Sequence, residues 1–285
     1  MNASEPVAIT PPSITELADA LGSMPVDTVL SHRSAAQVWG LWIPRFDGIE
    51  VTSPAGARGS RYTTSIQRRS VIAHRRITAG EDVVLHGGLP VTSLERTWLD
   101  LAAILDAYDL VAAGDSALRG GADAAILGVR VAGQHRLRGT RLARTTVGML
   151  DVRSRSRPES RIRAALVLAG LPKPRVNEPI YDEHGQWLAE PDLHYREAKV
   201  ALEYMGADHA DVDQMRKDSI RLLDQQRIDW AVRTYTAPHA YRRLWEVVDD
   251  VTVLLSRRAP QLLTARYLAC RVTITGDQRR RIRRL

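Results

Sequence analysis

The sequence predicts an α/β protein, with a mixed sheet flanked by helices in its C-terminal half and a smaller α/β region before it. Three observations predict this. Short β-type runs separated by turns occupy residues 49 to 91 and lead into a strongly helical stretch. From about residue 155 the element order reads helix, strand, strand, strand, helix, strand, helix, which suits a sheet covered on both faces. Between these halves, residues 134–157 are rich in arginine and poor in bulky apolar side chains, which sets a boundary near residue 150.

Taken in order, residues 1–12 carry Pro6, Pro11 and Pro12, which discourage regular structure. Ser13 caps "ITELADALG", a short helix ended by Gly22, and Ser31 opens "SHRSAAQVWGLW", a helix that Gly40 interrupts. "IEVT", "RYTTSI", "VIAHRRI", "DVVLH" and "LPVT" read as strands. Ser93 then caps a long helical stretch, 93–119, whose Trp98, Leu101, Ile104 and Leu105 fall at helical spacing. Residues 134–157 read as a basic helix and a linker. In the second half, Ser156 and Glu159 form an S-x-x-E capping box, and Gly170 with Pro172 ends that helix. "RVNEPIYD" reads as one strand, "EHGQ" as a turn, and "AEPDLHYREAKVALEYM" as a hairpin closed by "REAK". A helix over "DVDQMRKDSIRLLDQQ", a strand at "DWAVRTYT" and a last helix at "APHAYRRLWEVVDDVTVLL" complete the pattern. The expected regions are therefore 1–150, 151–256 and a basic extension, 257–285, ending in "RRRIRRL".

Composition narrows the chemistry. The single cysteine, Cys270, excludes a disulfide framework, a multi-cysteine zinc site and an iron–sulfur site. No apolar run approaches the roughly 20 residues of a membrane span, and the start carries no signal-peptide pattern, so a cytoplasmic location is expected. A formal net charge of +7 favours a polyanionic partner such as DNA, or reflects a generic basic surface. The arginines at 153, 155, 157, 161 and 163 read either as a solvated linker or as phosphate contacts.

The hairpin carries two acids into an otherwise apolar segment. Side chains alternate along a strand, so Asp192 and His194 share a face, as do Ala201, Glu203 and Met205. Pairing across about 4.8 Å brings Asp192 beside Glu203. Two carboxylates so close repel unless a cation lies between them, and oxygen ligands of this kind suit Mg²⁺ or Mn²⁺. The other reading of Glu203 is a salt bridge to Lys199 or Arg216. Glu159 already has a capping role, and Gln214, Asp218 and Arg221 fall on one face of the next helix at i, i+4, i+7 spacing.

These residues resemble the PD-(D/E)XK nuclease pattern, in the branch related to very-short-patch-repair endonucleases. The matching positions are Asp192, Glu203, Gly206, His209, Arg216, Asp218, Arg221, Trp230 and Val232, with Glu159 on the preceding helix. The likeness covers about residues 155–255 and implies a restriction-endonuclease-like fold. It implies a Mg²⁺- or Mn²⁺-dependent DNA endonuclease, with Asp192, Glu203 and the Tyr204 carbonyl holding metal. Glu159, Asp218 and Arg221 would join the catalytic set, and His209 would carry the proton. Met205 departs from the pattern: the motif places a lysine there, and this branch usually an aspartate. The departure implies an altered or impaired site, and the alternative is a catalytically inactive DNA-binding or antitoxin-like regulator. In the first half, "LSHRSAAQVWGL" and "LPVTSLERTWLDLA" resemble a region of abortive-infection antitoxin-like proteins. Such proteins usually begin with a winged helix-turn-helix, for which the N-terminus here is too short.

Overall fold

Ser13 starts the first helix, α1 (Ile14–Gly22), through a capping box: its Oγ accepts the Glu16 N–H at 3.2 Å, and the Glu16 carboxylate accepts the Ser13 N–H at 2.7 Å. The computed structural model describes residues 10–53, 70–75, 80–134, 138–206 and 229–263. The chain divides into two compact units, Met1–Leu105 with Ser116–Gly148 and Asp106–Asp115 with Met149–Leu285. Both are α/β, with mixed sheets flanked by helices. Among the described residues no helix is long and apolar enough to cross a membrane.

Among its described residues the first unit has five strands, β1 (Val29–Leu30), β2 (Ile49–Ser53), β3 (Val71–Arg75), β4 (Val83–His86) and β5 (Leu89–Thr92), in the order β3-β2-β1-β5-β4. β1 runs parallel to β5 and antiparallel to β2, and β2 runs parallel to β3. β4 and β5 pair antiparallel through Gly87 and Gly88, whose φ of 58° and 80° are the positive values a two-residue hairpin turn requires. Leu17 and Ala20 of α1 close over Leu30, Ile49, Val51 and Val91. The expected strand over "RYTTSI" lies outside the described residues.

α2 (His32–Val38) follows β1, and α3 (Leu94–Leu101) follows β5. Ser93 caps α3 through the Arg96 N–H, but Ser31 makes no such cap, because its Oγ meets His32 Nδ1 at 2.9 Å. Glu50 of β2 serves α2 instead: its carboxylate accepts the Arg33 N–H and both arms of the Arg33 guanidinium, each at 2.9 Å. Burial alone would raise the Glu50 carboxyl, yet the bonds from Arg33 and His74 hold it down to about 2. The His74 ring stacks on His32 at 3.6 Å, and burial pushes His32 down to about 4 against the neighbouring Asp100 carboxylate.

The helix expected over 93–119 is two helices, α3 and α4 (Ala107–Arg119). Asp106 breaks it, its side chain accepting the Asp109 N–H at 2.7 Å as a helix-starting cap would. α5 (Ala124–Gly133) is capped by Asp123. The basic helix expected within 134–157 is short, α6 (Thr140–Thr146), entered through Gly139 at φ 87°.

Among the described residues of the second unit, α7 (Arg157–Leu168) precedes six short strands, β6 (Arg175–Val176), β7 (Ile180–Tyr181), β8 (Trp187–Ala189), β9 (Leu193–Tyr195), β10 (Val200–Tyr204) and β11 (Ala231–Tyr235). The main sheet has the order β11-β10-β9-β6, with β10 parallel to β11 and the other pairs antiparallel. "RVNEPIYD" is therefore not one strand: β6 joins this sheet, β7 pairs with β8, and Asn177 turns the chain between them at φ 46°. The helix expected over 211–226 lies outside the described residues. The expected last helix is split into α8 (Ala237–Tyr241) and α9 (Leu244–Arg258). One sheet face presents Leu193, Tyr195, Val200 and Leu202 to Ile162 and Leu166 of α7 and to Val247 and Val251 of α9. Each such buried aliphatic side chain contributes about 1.5–3 kcal/mol. The opposite face packs Ala201 with Ile180, Ala189 and Trp230.

Candidate functional site

The β9–β10 hairpin turns over residues 196–199, where the Lys199 N–H bonds the Arg196 carbonyl at 3.1 Å and Lys199 adopts φ 48°. Tyr195 pairs with Val200, Ala201 with His194 and Leu202 with Leu193, so the same register sets Glu203 opposite Asp192. The two acids clasp the open end of the hairpin. Asp192 Oδ2 accepts the Tyr204 N–H at 2.7 Å, and Glu203 Oε1 accepts the Asp192 N–H at 3.1 Å. Asp192 is buried and Glu203 half-buried, and Glu203 lies beside Thr234 on the parallel strand β11. Met205 continues from β10 with its N–H on the Tyr235 carbonyl at 2.7 Å, and is 43% exposed.

Glu159 has partners of its own. Its carboxylate accepts the Ser156 hydroxyl at 2.7 Å, the Arg155 N–H at 3.0 Å and the Asn177 side-chain amide at 3.0 Å. The capping box expected at Ser156 is thus modified, with the returning carboxylate on the Arg155 N–H rather than that of Ser156. Among the described residues no group of three or more His, Cys, Asp or Glu side chains is arranged to hold a metal ion. His209, Asp218 and Arg221, with Arg216, lie outside the described residues.

Of the arginines at 153, 155, 157, 161 and 163, the first two are exposed, as in a solvated linker, whereas the other three lie on α7 and the last two are buried. Arg153 pairs with Asp151 and Glu178, and Arg155 with Glu190. Arg157 and Arg161 share Asp109, and Arg163 meets Asp115 with both side chains fully buried. The guanidinium groups of Arg161 and Arg163, buried against carboxylates, are poor candidates for phosphate contacts.

Two residues near the acids escaped the sequence reading as site candidates. Asn177 is buried, with its N–H on the Asp192 carbonyl at 3.0 Å and its side-chain amide donating to Glu159 and, at 2.9 Å, to the Arg153 carbonyl. The signal for it was an Asn in a strand-like run, the residue most tolerant of left-handed backbone after glycine. His194 shares the sheet face of Asp192 and is 2% exposed, yet neither ring nitrogen has a hydrogen-bond partner among the described residues. Burial pushes its imidazole down to about 4, so it is neutral at ordinary pH. Its ring stands edge-on to Trp230 at 6.0 Å.

No family model matches the chain, and no solved structure matches it. The sequence likeness is to mycobacterial proteins. Uncharacterized protein MT2308 and Uncharacterized protein Rv2248, from two strains of Mycobacterium tuberculosis, are each 31% identical to it over 137 residues. That stretch is 48% of this chain and 44% of each relative, so the chain spans under half the length of the proteins it matches.

Proposed function

We propose that the second unit is a restriction-endonuclease-like domain that hydrolyses DNA phosphodiesters with Mg²⁺ or Mn²⁺. The observation that carries this reading is the Asp192–Glu203 pair, joined across the end of one hairpin beside a parallel strand. Two adjacent carboxylates fit a hard cation that takes one or two carboxylates and fills its remaining positions with water and phosphate. When bound, such an ion polarises water and offsets charge on the phosphate. Asp192 and Glu203 would hold it with the Tyr204 carbonyl, and the resemblance adds His209 as the proton carrier. Glu159 serves better as an outer support than as a ligand, because its oxygens hold the start of α7 and the Asn177 amide.

A second reading, a catalytically silent DNA-binding or antitoxin-like regulator, is favoured by Met205. A thioether neither ligates a hard cation nor places a positive charge beside a scissile phosphate. The test is incubation of the full chain with plasmid, single-stranded and mismatched DNA, with Mn²⁺ or Mg²⁺ against EDTA. Met205→Asp adds an oxygen ligand and Met205→Lys a charge, and both should fold, because the side chain is 43% exposed. Cleavage should rise in one of them and disappear with Glu203→Gln. If Met205→Asp is folded and neither it nor the parent cleaves DNA or binds Mn²⁺, the second reading stands.

A further inference from the structure

Asp192 reaches its place through an unusual chain of contacts. Asn177 ends β6 in left-handed backbone, φ 46°, and from there makes three directed bonds. Its N–H donates to the Asp192 carbonyl at 3.0 Å, which extends the β6–β9 ladder beyond Val176 and Leu193 to the first site acid. Its amide donates at 3.0 Å to Glu159 Oε2, on the first turn of α7, and at 2.9 Å to the Arg153 carbonyl. Glu159 is in turn fixed by Ser156 and the Arg155 N–H. A carboxylate on a helix, an amide on a turn and the backbone of a second acid form one line leading to the Asp192–Glu203 clasp.

Conformation and cost argue that this line is retained for position. A non-glycine residue at positive φ stores about 1–3 kcal/mol unless its surroundings over-determine it. The buried amide would cost more if left unpaired. Glycine would relieve the backbone and still donate its N–H to Asp192, so what asparagine adds is the amide bridge to Glu159 and Arg153.

We propose that Asn177 is a positioning residue: through Glu159 it fixes the Asp192 backbone, and so the spacing of the two carboxylates toward a divalent cation. This rests on the metal-dependent reading above and names a residue that reading does not use. Outer partners of metal-holding groups typically tune metal affinity by 10–100-fold.

The test uses the full chain, with Mn²⁺ alone as probe, read by the loss of the free-ion paramagnetic resonance signal, and a thermal melt of every variant. Asn177→Gly keeps the backbone and loses the bridge, so Mn²⁺ affinity should fall roughly tenfold with folding retained. Asn177→Asp tolerates the same backbone but sets a like charge against Glu159, and should fall at least as far. Glu159→Gln, with one acceptor oxygen fewer, should weaken Mn²⁺ by a smaller factor and serves in place of Asn177→Gly should that variant unfold. Mn²⁺ affinity within twofold of the parent in a folded Asn177→Gly, or in Glu159→Gln if the glycine variant unfolds, overturns the positioning role while leaving the metal site intact. A parent that binds no Mn²⁺ at millimolar concentration, with Glu203→Gln indistinguishable from it, overturns both readings together.

Discussion

Replacing His194 with leucine should make the second unit more stable and less sensitive to acid. The native imidazole is 2% exposed and neither nitrogen has a hydrogen-bond partner among the described residues, so folding strips it of hydration without a replacing bond from them. Leaving a buried polar group unpaired costs about 1–3 kcal/mol, and leucine of similar bulk removes that cost. The acid dependence follows from the folded imidazole at about 4 against 6.5 in the unfolded chain. The unfolded state takes up the proton first as pH falls, so this contribution is complete above 6.5 and is lost between 6.5 and about 4. At 1.36 kcal/mol per pH unit, the interval comes to about 3 kcal/mol, of which about 2 is lost by pH 5. Urea unfolding of parent and His194→Leu at pH 7.5 and 5 measures the difference, and amide exchange over residues 193–204 reports the second unit separately. His32, with a similarly lowered value in the first unit, is common to both proteins and cancels. Parallel loss of stability in parent and variant between the two pH values would refute the reasoning.

The first unit offers two simpler tests. Glu50→Gln removes the charge from a partly buried pair with Arg33 and leaves one acceptor oxygen where two are engaged, so thermal stability should drop by about 1–3 kcal/mol; a change under about 0.5 kcal/mol would show the pair to be incidental. Because the Glu50 carboxyl is held down to about 2, its contribution should persist at pH 5 and vanish only as pH falls from 4.5 toward 2. Gly139→Ala should destabilise α6 strongly, since φ is 87° and the new methyl would stand 2.2 Å from the Ala102 carbonyl oxygen; an unchanged melting temperature would count against that packing.

What the sequence revealed was local. The Ser13 cap, the separate strands at "DVVLH" and "LPVT" and the Asp192–Glu203 register all depend on residues close in the chain or on strict alternation along a hairpin. What it hid was decided at a distance. Arg157 and Arg163 looked like part of a free basic cluster because their carboxylate partners, Asp109 and Asp115, stand 48 residues earlier. Nothing in "RVNEPIYD" shows that Asn177 adopts a positive φ, so one strand was expected where two serve different sheets. The long helical period across 93–119 survives the break at Asp106 because the apolar spacing resumes beyond it. For Glu159, a capping role and a site role have the same sequence signature, and only the Asn177 amide separates them.

Two of the ion pairs that tie α7 to the start of α4 have the same offset: Arg157 to Asp109 and Arg163 to Asp115 are each 48 residues apart. Equal offsets six residues apart mean that the start of α4 and α7 lie side by side in the same direction, about 9 Å of shared rise. The second unit thus takes a strip of its interior from the middle of the stretch that builds the first, and the first resumes at Ser116. Neither unit is one uninterrupted length of polypeptide. A single cut near residue 149 would strand Arg163 in the interior without Asp115, and one recombination point cannot move either unit intact into another gene.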